Sequence, residues 1–363
     1  MTGTSLDGLD VVLTHVTGSG LDMRVQLIAM VSRPLDDLRD SLLHLASGRA
    51  GTPIDYMRAA RGLGELHADA VAELCDQHLP GGASLDFVAA HGQTIRHAPR
   101  EHMSWQLFDP WPIVRRMKVP VCYDLRQADL IANGEGAPIT PIADWVLFRE
   151  RANLIVNLGG ICNVTYWENP ATNPRNIEGV DLCPCNLLID GLVRRLFSPR
   201  TIDNNGEISA QGKFSERIFR LFKAAAPIQG PGEPSLGREQ YDDRWFDMII
   251  EQAGSSCARH DLLRGAVEFV IAAVDECSKS FTADAVVLAG GGARNLTLVE
   301  GIRSRNLETE KVQLSDGVGI PCEAREAVCF AVLGALSQDG VTITLPQVTC
   351  SEKPGIAGAW AYP

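Results

Sequence analysis

Two short turns rich in glycine and small polar side chains, far apart in the chain, constrain the fold more than any other feature. The first is Met1-Thr-Gly-Thr-Ser-Leu-Asp-Gly-Leu-Asp10. The second is Asn157-Leu-Gly-Gly-Ile-Cys-Asn-Val164, directly after the apolar run Leu154 to Val156. Both sit beside strand-like segments. Glycine lets backbone amides approach a phosphate, and a carboxylate holds the accompanying cation. Two such turns predict a nucleotide gripped between two domains.

Length and charge bound the rest. A chain of 363 residues exceeds one ordinary core, so two domains are expected. A net charge of −12 leaves no excess of Lys and Arg to neutralise a nucleic-acid backbone, so no nucleic-acid partner is expected. No apolar run is long enough to span a membrane, and the first residues lack the basic and apolar regions of a secretion signal. The ten cysteines show no zinc-knuckle or thioredoxin-like spacing, and they read as reduced thiols of a cytoplasmic protein.

Periodicity sketches the elements. Val11–Val16 and Met23–Val31 read as strands around the Gly18-Ser-Gly20 turn, and 56–78 as a helix. Leu85–Ala90 and Val119–Tyr123 read as buried strands with polar groups at their ends, as an α/β binding crevice requires. Leu154–Val156 and Val164–Trp167 form a predicted hairpin. Cys185–Phe197, Leu262–Cys277 and Glu323–Leu336 read as helices, and Ala285–Ala289 as a strand feeding Gly290-Gly-Gly292. Residues 226–239 read as a loop, and the tail 341–363 as strand and loop returning to the first domain. The glycine-rich crossover at 133–138 places the domain change, giving residues 1–130 plus 338–363 and residues 131–337.

Each motif also has a structural reading. Gly3, Thr4, Ser5, Asp7, Gly8 and Asp10 suit a phosphate loop with Asp7 or Asp10 near a metal, or a capped surface turn. Such a turn normally follows a strand, so either a strand is missing or the turn is less firmly anchored. Asn157, Gly159, Gly160 and Asn163 suit a second phosphate turn, or a tight primed hairpin. Gly290, Gly291 and Gly292 with Asn295 let a flat ring lie on backbone, or form a plain strand-to-helix turn. Asp181, read as lying just before a helix, suits a general base or a helix N-cap. The nearby Cys183-Pro-Cys185 lacks the partners a metal site needs. His91, Gln93, Thr94, Arg96 and His97, with Arg126 and Asp129, suit a sugar or its carboxylate, or structural hydrogen bonding. His67, His78 and His260 read as helix-surface histidines.

In this order, the segments Gly3-Thr-Ser-Leu-Asp-Gly8, His91-Gly-Gln-Thr94, Asp124-Leu-Arg126, Gly134-Glu-Gly-Ala-Pro138, Asn157-Leu-Gly-Gly-Ile-Cys-Asn163, Gly290-Gly-Gly-Ala-Arg-Asn295 and Ala324-Arg-Glu-Ala327 resemble the anhydro-N-acetylmuramic acid kinases. The resemblance implies two actin-like (ribonuclease H-like) α/β domains with an interdomain nucleotide and substrate cleft. It implies ATP, Mg2+ and a 1,6-anhydro sugar substrate. Water would open the anhydro bridge at C1 while O6 takes the γ-phosphoryl group, giving N-acetylmuramic acid 6-phosphate. Carried over by position, Gly3, Thr4, Ser5, Leu6, Asp7, Gly8, Leu9 and Asp10 form the ATP phosphate segment, with Asp7 toward the metal. Asn157, Gly159, Gly160, Asn163, Gly290, Gly291, Gly292 and Asn295 complete the ATP site. Asp181 would be the base and Glu326 would hold the sugar site. His91, Gln93, Thr94, His97, Arg126 and Asn186 would bind substrate. A homodimer is typical of that family.

Departures from the pattern shape the alternatives. The family's Asp-Thr-Gly-Pro-Gly-Asn stands here as Asp181-Leu-Cys-Pro-Cys-Asn186, and Pro234 replaces a lysine before Ser235, Gly237, Arg238 and Glu239. If position 183 or 185 is left-handed, a side chain there costs about 1–2 kcal/mol. A catalytically weakened nucleotide- or sugar-binding relative, or a kinase for another anhydro sugar such as levoglucosan, are the rival expectations.

Overall fold

The computed structural model describes residues 1, 2, 6, 8–47, 51–168, 173–230, 233, 236, 240–305 and 311–363. The chain divides into two compact units, Met1–Leu147 with Ala324–Pro363, and Phe148–Glu323.

In the first unit, β1 (Leu9–Thr17) pairs antiparallel with β2 (Arg24–Arg33). Gly18 and Gly20, at φ +77° and +56°, make the reversal that a side chain would resist. Along β1, Leu9, Val11 and Leu13 face inward, the period-two pattern of a half-buried strand. Helices α1 (Asp37–Ala46) and α2 (Pro53–His78) cover them. At the start of α2 the Thr52 backbone N–H donates to Asp55 Oδ2 at 2.9 Å, and Pro53 occupies the first turn. Leu63, Val71 and Leu74 of α2 join Leu9, Leu13 and Leu42 in one core, each buried apolar side chain contributing about 1.5–3 kcal/mol. Next come β3 (Val88–Ala89), the antiparallel hairpin β4 (Gln93–Ala98) and β5 (Met103–Leu107), α3 (Trp111–Met117), β6 (Val121–Tyr123), α4 (Gln127–Leu130) and α5 (Pro141–Phe148). The two predicted buried strands are shorter than expected: of 85–90 only Val88 and Ala89 pair, parallel to Val121 and Cys122.

The second unit is a five-stranded sheet flanked by helices. Its elements are β7 (Leu154–Leu158), β8 (Ile161–Tyr166), β9 (Glu178–Pro184), α6 (Asn186–Leu196), α7 (Glu216–Ala225), α8 (Asp243–Ala253), α9 (Arg259–Ser280), β10 (Val286–Ala289), α10 (Leu296–Ser304) and β11 (Val312–Leu314). The order is β11-β10-β7-β8-β9, with β7, β10 and β11 parallel and β7, β8 and β9 antiparallel. On α9, Leu263, Ala266, Val267, Val270, Val274 and Cys277 are all buried, so the predicted apolar stripe is the core face.

The chain then returns to the first unit through α11 (Arg325–Gln338), α12 (Pro346–Thr349) and β12 (Ala359–Ala361), which pairs antiparallel with β6. Helix α11 packs on β1 and β3, so it sits with the first unit rather than the second. Both units are α/β. Among the described residues, no helix is long and apolar enough to cross a membrane.

His67 departs from the expected helix surface. It lies on the α2 face that meets Phe108, only 3% exposed, with Nδ1 on the Leu63 carbonyl at 2.7 Å. Burial lowers its pKa to about 3.

Candidate active site

In the second unit, the turn between β7 and β8 meets the start of α6. Leu158 pairs with Cys162, Gly159 and Gly160 lie between the two strands, and neither glycine has positive φ. It is therefore not a primed hairpin. Its carbonyls face the helix instead: Gly160 O accepts from Cys185 and Leu187 N–H at 2.9 and 3.0 Å, and Gly159 O from Asn186 N–H at 3.0 Å. These bonds satisfy the amides that a helix start leaves orphaned.

The glycine run after β10 fits against this junction. Ala289 pairs with Asn157, and Gly290 follows at φ +84°. A Cβ on Gly290 would stand 2.5 Å from Asn157 Oδ1, and one on Gly292 would stand 2.8 Å from Asn186 Oδ1 and from the Leu158 carbonyl. Asn186 Nδ2 donates to that same carbonyl at 3.0 Å. Gly291 is exposed, and its nearest neighbour to a Cβ is Asn186 Nδ2 at 3.8 Å. The strip is thus closed on one side by Asn157, Leu158 and Asn186. At Gly291 the backbone of the strip is left open. Asn295 serves the fold: its Oδ1 caps α10 at Leu298 N–H, 3.1 Å away, and its Nδ2 donates to Asp203 at 3.3 Å.

Asp181 lies within β9, not at a helix start, and Cys185 takes the N-cap position of α6. Asp181 stands directly opposite Asn163 of β8, both half-buried, so an amide and a carboxylate share one face of the sheet. Its Oδ2 accepts from the Leu236 N–H at 3.3 Å. Leu182 has no partner in the register, because Cys183 already pairs with Cys162. This one-residue irregularity lets Asp181 stay at the face while Cys183 and Cys185 are fully buried.

Neither cysteine is left-handed. Cys185 has φ −122°, and Cys183 is ordinary strand. The expected strain is therefore not present here. Burial raises the pKa of both thiols, and that of Cys162 is raised by its hydrogen bond with Cys183 and by burial. All ten cysteines are free, and among the described residues no group of His, Cys, Asp and Glu is placed to hold a metal.

The first unit carries the other candidates. Gly3, Thr4, Ser5 and Asp7 lie outside the described residues, as do Pro234, Ser235, Gly237, Arg238 and Glu239. Leu6 and Leu9 are core residues, Leu6 at φ +56°. Gly8 is close to β2, where a Cβ would stand 2.9 Å from the Arg33 carbonyl. Asp10 Oδ1 accepts from Ser32 Oγ at 2.5 Å.

His91 is buried, with Nδ1 on the Gly92 carbonyl at 2.9 Å and its ring against Phe330 of α11. Its Nε2 accepts from Arg126 Nε at 3.1 Å, and Arg126 Nη1 donates to the Gly136 carbonyl at 2.7 Å. Asp129 is fully buried and accepts from the Gly136 N–H at 2.7 Å and from Thr349 Oγ1 at 2.7 Å, fixing the crossover that Arg126 grips. Gln93 is buried on β4, where it pairs with Leu107; Thr94 and His97 pair with Gln106 and Ser104.

Glu326 is half-buried in the first turn of α11. The residue before it, Arg325, is 1% exposed and donates to both carboxylate oxygens of Asp144, through Nε at 2.9 Å to Oδ1. Burial works against the Arg325 charge, and Asp144 outweighs it, so the guanidinium pKa is raised. Neither Asp144 nor the hairpin partners Ser104 and Gln106 stood out in the sequence. The period-two alternation of Met103-Ser-Trp-Gln-Leu107 was the available signal for the hairpin.

A family model described as "Anhydro-N-acetylmuramic acid kinase" matches residues 1–363. An anhydro-N-acetylmuramic acid kinase of Bacillus cereus (strain Q1) is 30% identical over 100% of this chain and 98% of its own length. One of Bacillus anthracis (strain A0248) is 29% identical over the same shares. Among solved structures, component A of the (R)-2-hydroxyglutaryl-CoA dehydratase of Acidaminococcus fermentans is 12% identical, with a TM-score of 0.45 over 91% of this chain and 99% of that one.

Proposed function

This chain belongs to the anhydro-N-acetylmuramic acid kinase family, and we propose that it performs that reaction on 1,6-anhydro-N-acetylmuramic acid with ATP and Mg2+. Asp181 accepts a proton from water as the water oxygen bonds to C1. The C1–O6 bond breaks, O6 attacks the γ-phosphorus, and ADP leaves with its electron pair. The products are ADP and N-acetylmuramic acid 6-phosphate. Such a transfer asks the protein mainly for positioning and charge neutralisation.

The observation that carries this reading is the placement of Asp181 opposite Asn163 on one sheet face. In the same unit, the Asn157–Gly160 turn and the Gly290–Gly292 strip close around the start of α6. Gly3 to Asp10, with Asp7 toward the metal, is proposed for the phosphates. Mg2+ bound through ATP phosphates needs only one or two protein carboxylates, and when bound it neutralises the developing phosphate charge. Gln93, Thr94, His97, Arg126 and Asn186 are proposed sugar contacts, and Glu326 a sugar-site carboxylate. His91 is proposed to act through Arg126, because both of its ring nitrogens are engaged inside the protein.

Free thiols and use of ATP suit the cytoplasm, and a homodimer is the proposed assembly. The Leu182–Cys185 segment is proposed to be active. The test is incubation of the purified chain with ATP, Mg2+ and the anhydro sugar. Equal amounts of ADP and sugar 6-phosphate support the reading. ADP formed without sugar phosphate, or no turnover where a Bacillus relative works, refutes it.

A further inference from the structure

The hairpin of β4 and β5 carries a polar ladder on one face. Thr94 pairs with Gln106 and His97 with Ser104. Gln106 Nε2 donates to Ser104 Oγ at 2.7 Å and reaches Thr94 Oγ1 at 3.4 Å, while Ser104 Oγ stands 3.0 Å from His97 Nδ1. Ser104 in turn reaches the Arg96 carbonyl with its own proton, at 3.4 Å, so it accepts from Gln106. That chain of donors fixes which way the Gln106 amide points. Its Oε1 is then buried with no hydrogen-bond partner.

An orphaned buried acceptor costs about 1–3 kcal/mol. A fold that holds such an amide by both of its N–H directions, and leaves the oxygen unsatisfied, is prepared for a donor from outside. The neighbouring side chains are a hydroxyl, an imidazole and another hydroxyl, which both give and take hydrogen bonds. That is the chemistry of a sugar's hydroxyl and acetamido groups. On β5 the alternate positions, Met103 and Trp105, face away and are exposed, with Trp105 stacked on Tyr56 at 4.8 Å. The polar and apolar faces of the strand are thus segregated.

We propose that Gln106 is a specificity-determining contact for the sugar: its Oε1 accepts a hydrogen bond from an O–H or N–H of the pyranose, and Ser104 holds the amide for that task. The inference rests on the sugar-kinase function proposed above. Loss of the acceptor falls on sugar binding and leaves the nucleotide untouched. A site built around a hydrogen bond rejects a partner that lacks it far more strongly than an apolar pocket rejects a size change.

The experiment compares wild type with Gln106→Leu and Gln106→Glu by steady-state kinetics on 1,6-anhydro-N-acetylmuramic acid. Calorimetric binding of the same sugar is measured in the presence of a non-hydrolysable ATP analogue. In Gln106→Leu the KM and Kd for the sugar are expected to rise by about 10-fold or more, with the KM for ATP unchanged within about twofold. Gln106→Glu keeps an acceptor and is expected to recover most of the sugar affinity. A sugar KM within about twofold of wild type in Gln106→Leu, or an equal rise for ATP, overturns the inference while wild-type turnover upholds the kinase reading. If wild type is inert yet binds the sugar, the kinase reading fails and the calorimetry on Gln106→Leu decides the inference alone. If wild type neither binds nor turns over the sugar, both fail.

Discussion

Arg126 Nε donates to His91 Nε2 at 3.1 Å, so the imidazole lacks a proton at Nε2 and carries its hydrogen on Nδ1, toward the Gly92 carbonyl. A neutral ring is thereby built into the support of a guanidinium. Burial pushes the His91 pKa well below the ordinary value, and Arg126 pushes it the same way. His91→Gln, which keeps an acceptor near the Nε2 position, is expected to retain sugar binding. His91→Leu is expected to raise the sugar KM by about 10-fold with little change in the KM for ATP. Steady-state kinetics on both variants checks this.

Buried neutral histidines also set a pH dependence of stability. The unfolded chain binds a proton at His67 below about 6.5, whereas the folded chain refuses it until about 3. The unfolded state therefore holds more protons in that window, and stability falls as pH drops from 6.5 toward 3. Each such histidine contributes a slope of about 1.4 kcal/mol per pH unit. His67→Gln is expected to lower the slope by one proton, measured by urea unfolding across that range.

The Asp144–Arg325 pair is almost fully buried one residue before Glu326. Arg325→Leu strands a carboxylate in the core and is expected to cost about 3–5 kcal/mol, whereas Asp144→Leu combined with Arg325→Leu is expected to recover part of that loss. Denaturant unfolding of the single and double variants measures it.

Gly290 and Gly291 separate folding from binding. Alanine at Gly290 meets a left-handed backbone and Asn157, and is expected to destabilise by about 1–2 kcal/mol or more. Alanine at Gly291 meets only Asn186 Nδ2 at 3.8 Å, so the fold is expected to tolerate it while the KM for ATP rises. Thermal unfolding and ATP titration of the two variants distinguish the roles.

Glycine at Cys183 removes a buried thiol from a strand of ordinary backbone and is expected to cost about 1–2 kcal/mol without raising kcat. A large gain in rate from Cys183→Gly with Cys185→Gly favours the weakened-relative reading instead. Turnover measured before and after the change is the check.

Much of the α/β pattern was legible because buried strands and amphipathic helices repeat with different periods. The stripe on α9 and the hairpin of β7 and β8 follow directly from apolar spacing. What escaped was set by tertiary contact. Gly159 and Gly160 look like a hairpin turn locally, but their carbonyls are claimed by α6. Asp181 looks like a helix cap because a helix follows, yet the pairing of β8 with β9 extends the strand past it. His67 falls at a helical position that is polar by composition and buried by the packing of Phe108. The partners Gln106 and Ser104 were hidden because a hairpin's cross-strand register is invisible until the strands pair.

The most direct test of the central claim is the reaction of Asp181→Asn under single-turnover conditions with ATP, Mg2+ and 1,6-anhydro-N-acetylmuramic acid. The account predicts a loss of about 100-fold to 10,000-fold in sugar 6-phosphate formation, with ATP-analogue binding and thermal stability retained. Product formed by Asp181→Asn at the wild-type rate would contradict it.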